Sequence, residues 1–168
     1  MREILNTQDT QELYKAEYPL LLSQLKHLVA LARARDPNVA FIALFGSTAR
    51  LEPHQYSDAD VLILVHDQAQ FYAAKPTPGV ALLSMAYQEE AVSSGDAGRL
   101  GSWPVIAVVS DITASDLDAD FLNIVARDGV ELYRQPGYEP PAILFHLTPW
   151  ERWRQRVNRR LAASDKIA

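Results

Sequence analysis

Two apolar runs of strand length, Val39 to Phe45 (V-A-F-I-A-L-F) and Val61 to Val65 (V-L-I-L-V), flank the stretch G-S-T-A-R-L-E-P-H-Q-Y-S-D-A-D from Gly46 to Asp60. Runs of this length and composition read as buried strands. The stretch between them therefore joins two strands, with a Gly-Ser pair leaving the first and an Asp-x-Asp entering the second. Side chains alternate faces along a strand, so Asp58 and Asp60 are expected on one side, with their carboxylates close together. Like charges at that separation repel, and a hard divalent cation with oxygen ligands relieves them. The pair asks for Mg²⁺. At the other strand end, glycine lets the backbone approach a ligand closely, and exposed N–H groups in such a turn cradle anions. Gly46 and Ser47 thus ask for phosphate.

Gly-Ser, ten residues, then Asp-x-Asp resembles the signature of the nucleotidyltransferase superfamily related to DNA polymerase beta. Within it, the chain is similar to the small, single-domain minimal nucleotidyltransferases (MNT), where a small residue and an arginine commonly follow the Gly-Ser turn, as Thr48, Ala49 and Arg50 do here. F-L-N-I-V-A-R-D-G-V-E-L-Y, Phe121 to Tyr133, is similar to the family's closing helix and tail. The resemblance implies an α+β fold: a small mixed β-sheet with helices packed on it, followed here by a C-terminal amphipathic helix. It implies that Asp58 and Asp60 bind Mg²⁺ carrying a nucleoside triphosphate, ATP favoured, while Gly46, Ser47 and Arg50 hold its phosphates. The expected reaction moves a nucleoside monophosphate, AMP-like, to a hydroxyl of a protein or RNA. Minimal nucleotidyltransferases are often the antitoxin of a HEPN-type toxin, which they silence by nucleotidylation or by binding, so a HEPN-type partner is implied as well.

The family places a third carboxylate on a later strand, where it completes the metal site and serves as general base. Neither V-A-L-L (80 to 83) nor V-I-A-V (105 to 108) contains one. Asp111, at the end of the second run, is the candidate if strand register or a bulge carries it to the site; the other reading is a helix-cap or loop aspartate. Two alternatives to the transferase stay open: a degenerate member that binds nucleotide or a partner without transfer, and an aminoglycoside-modifying enzyme, which usually carries more chain for its acceptor pocket.

Bulk properties agree with one modest domain. The 168 residues are 48% hydrophobic and 22% charged, long enough for one core and short for two. There is no cysteine, which excludes disulfides, zinc–thiolate sites and thiol catalysis. No apolar stretch reaches the length of a membrane span, and the N-terminus lacks a signal-peptide core, so a soluble cytoplasmic protein is expected. A net charge of −5 argues against broad affinity for duplex nucleic acid.

The remaining elements follow from periodicity. Leu21, Leu25, Leu28, Val29 and Ala32 recur at helical spacing, with Asp36-Pro37 as a stop. Gly79 to Tyr87 reads as a strand leading into a helix, Ser93 to Ser102 as a loop, and Pro104 to Ser110 as a buried strand. Asp116 to Asp128 reads as a helix that Gly129 ends, with a short edge strand from Val130 to Tyr133. Residues 1 to 137 are read as the nucleotidyltransferase domain and 138 to 168 as a connector and helix packed on that domain or on a partner. In that helix Thr148 and Pro149 are read as cap and first-turn proline, and Trp150, Trp153, Val157 and Leu161 share a face. Its other face is arginine: residues 150 to 168 carry six basic side chains and two acidic ones.

Overall fold

The computed structural model describes residues 37–52, 59–73, 105–111 and 119–165 and part of 18–33, with 105–111 described as backbone. Among the described residues five strands form one mixed sheet in the order β3-β2-β1-β4-β5. They are β1 (Val39–Phe45), β2 (Ala59–Val65), β3 (Val105–Asp111), β4 (Val130–Arg134) and β5 (Thr148–Pro149). β1 runs antiparallel to β2 and β4, whereas β2 pairs with β3 and β4 with β5 in parallel. Helical elements are the turn α1 (Gly46–Ala49), α2 (Gln68–Ala73), α3 (Ala119–Asp128) and α4 (Trp150–Asp165), besides helical residues between 18 and 33.

Every residue of β1 is buried, as its unbroken apolar run requires of a strand covered on both faces. Alternation sorts the side chains into two cores. Ile42, Leu44, Val61, Ile63 and Val65 join Tyr18, Leu21, Leu25, Trp153 and Val157 on one face. Phe41, Ala43, Phe45, Leu62 and Leu64 join Val125, Leu144 and Leu147 on the other. Val39 belongs to the first core although Phe41, two residues on, belongs to the second, because the register shifts between them. The N-terminal helical segment and α4 thus cover one face, and α3 with the 3-10 turn Ala142–Leu144 covers the other.

Four details differ from the sequence reading. β4 is not an edge strand, since the two-residue β5 pairs with its outer side. Thr148 and Pro149 form β5, so α4 begins at Trp150 rather than on a first-turn proline. Gly129 follows α3 without a left-handed backbone. It is needed there because a Cβ would run into the Val125 carbonyl and the Leu147 side chain. α2 was not anticipated; its start is fixed by Asp67, whose carboxylate accepts the Gln70 N–H at 3.0 Å. The expected strand and helix from Gly79, the loop from Ser93, and Leu28 and Ala32 lie outside the described residues.

Candidate active site

β1 and β2 meet at the register pair Phe45 and Asp60, and the chain turns out of β1 through Gly46 immediately beside that pair. Gly46 has a φ of 77°, and a Cβ there would lie 2.5 Å from Oδ2 of Asp60. Glycine is therefore demanded twice, by a left-handed backbone and by the carboxylate pressed against it. Gly46, Ser47 and Asp60 are all half-buried, so the turn and the acid share one partly open corner of the sheet. Phe45 lies at the same corner and meets Phe121 of α3 edge-on at 5.5 Å.

The turn itself is tightly specified. Within it, Arg50 N–H donates to the Gly46 carbonyl at 3.1 Å, Glu52 N–H to Ser47 at 3.0 Å, and Leu51 N–H to Thr48 at 3.2 Å. Leu51 has a φ of 63°, a left-handed conformation that costs a branched residue about 1 kcal/mol or more, yet its side chain is buried in the first core. Both chain ends reach in. The Tyr18 hydroxyl donates to the Thr48 carbonyl at 3.2 Å, Trp153 Nε1 to Ala49 at 2.9 Å, and an Arg160 Nη1 to Leu51 at 3.0 Å.

Arg50 adjoins this corner with its guanidinium turned to acids. Nη1 donates to Asp128 Oδ2 at 2.8 Å and Nε to Glu52 at 3.1 Å. Arg127 donates to the same Asp128 oxygen through Nη2 at 2.8 Å and Nε at 3.0 Å. Burial pushes the Asp128 carboxyl up, but hydrogen bonds from Arg127 and Arg50 outweigh it and hold it below the usual carboxylate range.

The structure thus brings Gly46, Ser47 and Asp60 together, with Arg50 next to them. Asp58 lies outside the described residues. Asp111 is not brought to Asp60. In the parallel β2–β3 register Asp60 stands beside Ile106 and Asp111 beside Val65, five residue steps away or roughly 17 Å along the strands. The register is continuous, so no bulge shortens that distance. The backbone register therefore does not set Asp111 beside Asp60, as a place in the site would require. Among the described residues no three His, Cys, Asp or Glu side chains are grouped to hold a metal ion. The donor chemistry nevertheless fits Mg²⁺: Asp60 offers hard oxygens, and the space a Cβ would fill at Gly46 leaves its carboxylate room.

Residues 25–113, more than half of the chain, match the family model of the nucleotidyltransferase domain. The chain belongs to that family. The matched segment of this nucleotidyltransferase spans β1, the Gly-Ser turn, β2 and β3, and so includes the whole corner. Similar solved structures include a toxin–antitoxin with AMP-PNP, at 16% identity over 85% of each chain and a TM-score of 0.41. Another is a mutant of the toxin–antitoxin MntA-HpeT, at 13% identity over 85% of each chain and a TM-score of 0.38. A third is a tri-AMPylated Shewanella oneidensis HEPN toxin in complex with its MNT antitoxin, at 14% identity over 87% of this chain and 84% of that one, with a TM-score of 0.37. No curated protein matches. Among the described residues no helix is long and apolar enough to cross a membrane.

The sequence reading missed Tyr18, Arg160 and Asp128 as parts of the site. It placed Trp153 on an apolar face without a polar role. A buried indole N–H needs an acceptor, so a partner for Trp153 was foreseeable; that it would be the Gly-Ser turn, 104 residues upstream, was not.

Proposed function

We propose that this protein transfers AMP from ATP to a hydroxyl of a protein or RNA in the cytoplasm, as a nucleotidyltransferase of the minimal type. Family membership supports this reading, and the observation that carries it is the packing of Gly46 against the Asp60 carboxylate, which sets a phosphate-type turn against a metal-type acid. In this reading Gly46 and Ser47 hold the triphosphate through backbone N–H groups, and Asp58 and Asp60 hold Mg²⁺. When bound, the ion supplies charge neutralisation for the triphosphate and its leaving pyrophosphate. The acceptor oxygen forms a bond to the α-phosphorus as the bond to the pyrophosphate oxygen breaks, and the hydroxyl proton passes to solvent. The turn's share is positioning and fixed dipoles. A HEPN-type protein is the proposed partner and acceptor, as the MNT resemblance implies.

A second reading, nucleotide binding without efficient transfer, is favoured by one observation: Ile106, which carries no ionisable group, holds the β3 position beside Asp60. A missing general base costs about 10²- to 10⁴-fold in rate. Purified protein incubated with labelled ATP, Mg²⁺ and candidate acceptors, alongside Asp58→Asn/Asp60→Asn, separates the readings. Label transfer lost in the double variant supports the transferase; Mg-dependent ATP binding without label supports the binder. A protein that shows no label transfer and no Mg-dependent ATP binding refutes both readings.

A further inference from the structure

The Gly-Ser turn is held from behind by both ends of the chain. Tyr18 OH, Trp153 Nε1 and Arg160 Nη1 donate to the carbonyls of Thr48, Ala49 and Leu51 in turn. The carbonyls of Gly46, Ser47 and Thr48 accept the N–H groups of Arg50, Glu52 and Leu51. All these acceptors are committed to the C-terminal side of the turn, so the N–H ends of the same peptide units point back towards its start, where Gly46 sits against Asp60. Leu51 adds a second constraint. A non-glycine residue keeps a left-handed backbone only where its surroundings over-determine it. Here the side chain is buried, the N–H is bonded to Thr48 and the carbonyl to Arg160. Tyr18 and Trp153 are fully buried and tilt against each other at 6.4 Å, so neither ring can swing away without opening the first core.

We infer that Trp153 and Arg160 of α4, with Tyr18, are positioning residues that set the Gly-Ser turn for the triphosphate. This rests on the proposed nucleotide site. The C-terminal helix is then part of the nucleotide-binding apparatus, acting through the Ala49 and Leu51 carbonyls of the turn. Losing the Trp153 donor leaves the Ala49 carbonyl to find another partner and loosens the end of the turn that Leu51 locks. The turn then samples conformations in which its N–H groups no longer converge, and nucleotide affinity falls by the fraction of time spent there.

The test compares Trp153→Phe, which keeps an aromatic ring and removes the donor, with Arg160→Met and Arg160→Lys. Leu144→Ala serves as a control that destabilises the opposite core. Calorimetric titration with Mg²⁺ and a non-hydrolysable ATP analogue is paired with amide hydrogen exchange of residues 46 to 52 in nucleotide-free protein. Expected for Trp153→Phe is a dissociation constant raised roughly tenfold, the scale of one lost buried hydrogen bond. Faster exchange confined to the turn should accompany it. Arg160→Met should weaken binding less, and Arg160→Lys should recover part of the loss. Leu144→Ala should lower the melting temperature without either change. Unchanged affinity in Trp153→Phe, or an equal loss in Leu144→Ala, overturns the inference. A wild type that binds no nucleotide refutes the transferase reading instead; exchange in the turn then still decides whether the clamp exists, and unchanged exchange rejects it.

Discussion

The Asp60 carboxylate packs against Gly46 where a side chain would begin: a Cβ on the glycine would lie 2.5 Å from the aspartate Oδ2. Gly46→Ala must therefore displace the carboxylate as well as strain a backbone at φ 77°. The strain alone is worth about 1–2 kcal/mol. We expect Gly46→Ala to fold with a slightly lower melting temperature but to lose Mg-dependent ATP binding by about 100-fold or more, because the metal-type acid and the phosphate-type turn are disturbed together. Calorimetric titration alongside a thermal melt checks it. A variant that binds as the wild type does would show that Asp60 has room to move.

Asp128 ends α3, where the helix dipole disfavours a negative charge. Arg50 and Arg127 offset this, and their hydrogen bonds hold the carboxyl below its ordinary value despite burial. A depressed carboxyl stabilises the fold fully above its unfolded pKa, near 4, and the contribution disappears as pH falls through the lower folded value. Both arginines are well exposed, which limits the pair's worth to about 1 kcal/mol. Urea melts of Asp128→Asn should show that deficit at pH 7 and a shrinking one below pH 4. A deficit that grows on acidification would contradict the assignment.

The contrast between Asp60 and Asp111 shows what the sequence made legible. The strands of β1 and β2 and the corner that joins them follow from local pattern, because residue type, alternation and spacing all act within about 30 residues of chain. Helix α3 and the apolar face of α4 follow from periodicity for the same reason. The place of Asp111 is not legible in the same way, because it depends on the register of a parallel pair, which is fixed by contacts between segments far apart and leaves no local mark. The same holds for Trp153, Arg160 and Tyr18, whose partners sit 104, 109 and 30 residues away. Gly129 is intermediate: a helix stop was readable, but its cause, the approach of Leu147, was not.

Gly129→Ala accordingly tests packing rather than backbone freedom. The added methyl must push aside the Val125 carbonyl or Leu147, both belonging to residues buried in the second core. Over-packing of this kind costs about 1–3 kcal/mol. Denaturant melts should register that loss, while ATP affinity stays near wild type, since the added methyl meets Val125 and Leu147 rather than the Gly-Ser turn or Asp60. A neutral substitution would mean that α3 shifts freely over the sheet.

Ligand-linked stability gives the sharpest reading of the Asp60 corner, because it needs no acceptor and no turnover. A ligand that binds only the folded chain stabilises it by an amount set by its concentration relative to Kd, about 2.7 kcal/mol at a hundredfold excess. The wild type should therefore gain several degrees in melting temperature with ATP and Mg²⁺ together, and much less with ATP and EDTA. Asp60→Asn keeps the size of the side chain and removes its charge, so it should abolish the Mg-dependent increment while leaving the unliganded melt close to wild type. An Mg-dependent shift that survives in Asp60→Asn would place the metal elsewhere. A shift that is lost in Asp60→Asn, with wild-type label transfer still absent, would assign the corner to binding and leave Ile106 as the reason that chemistry does not follow.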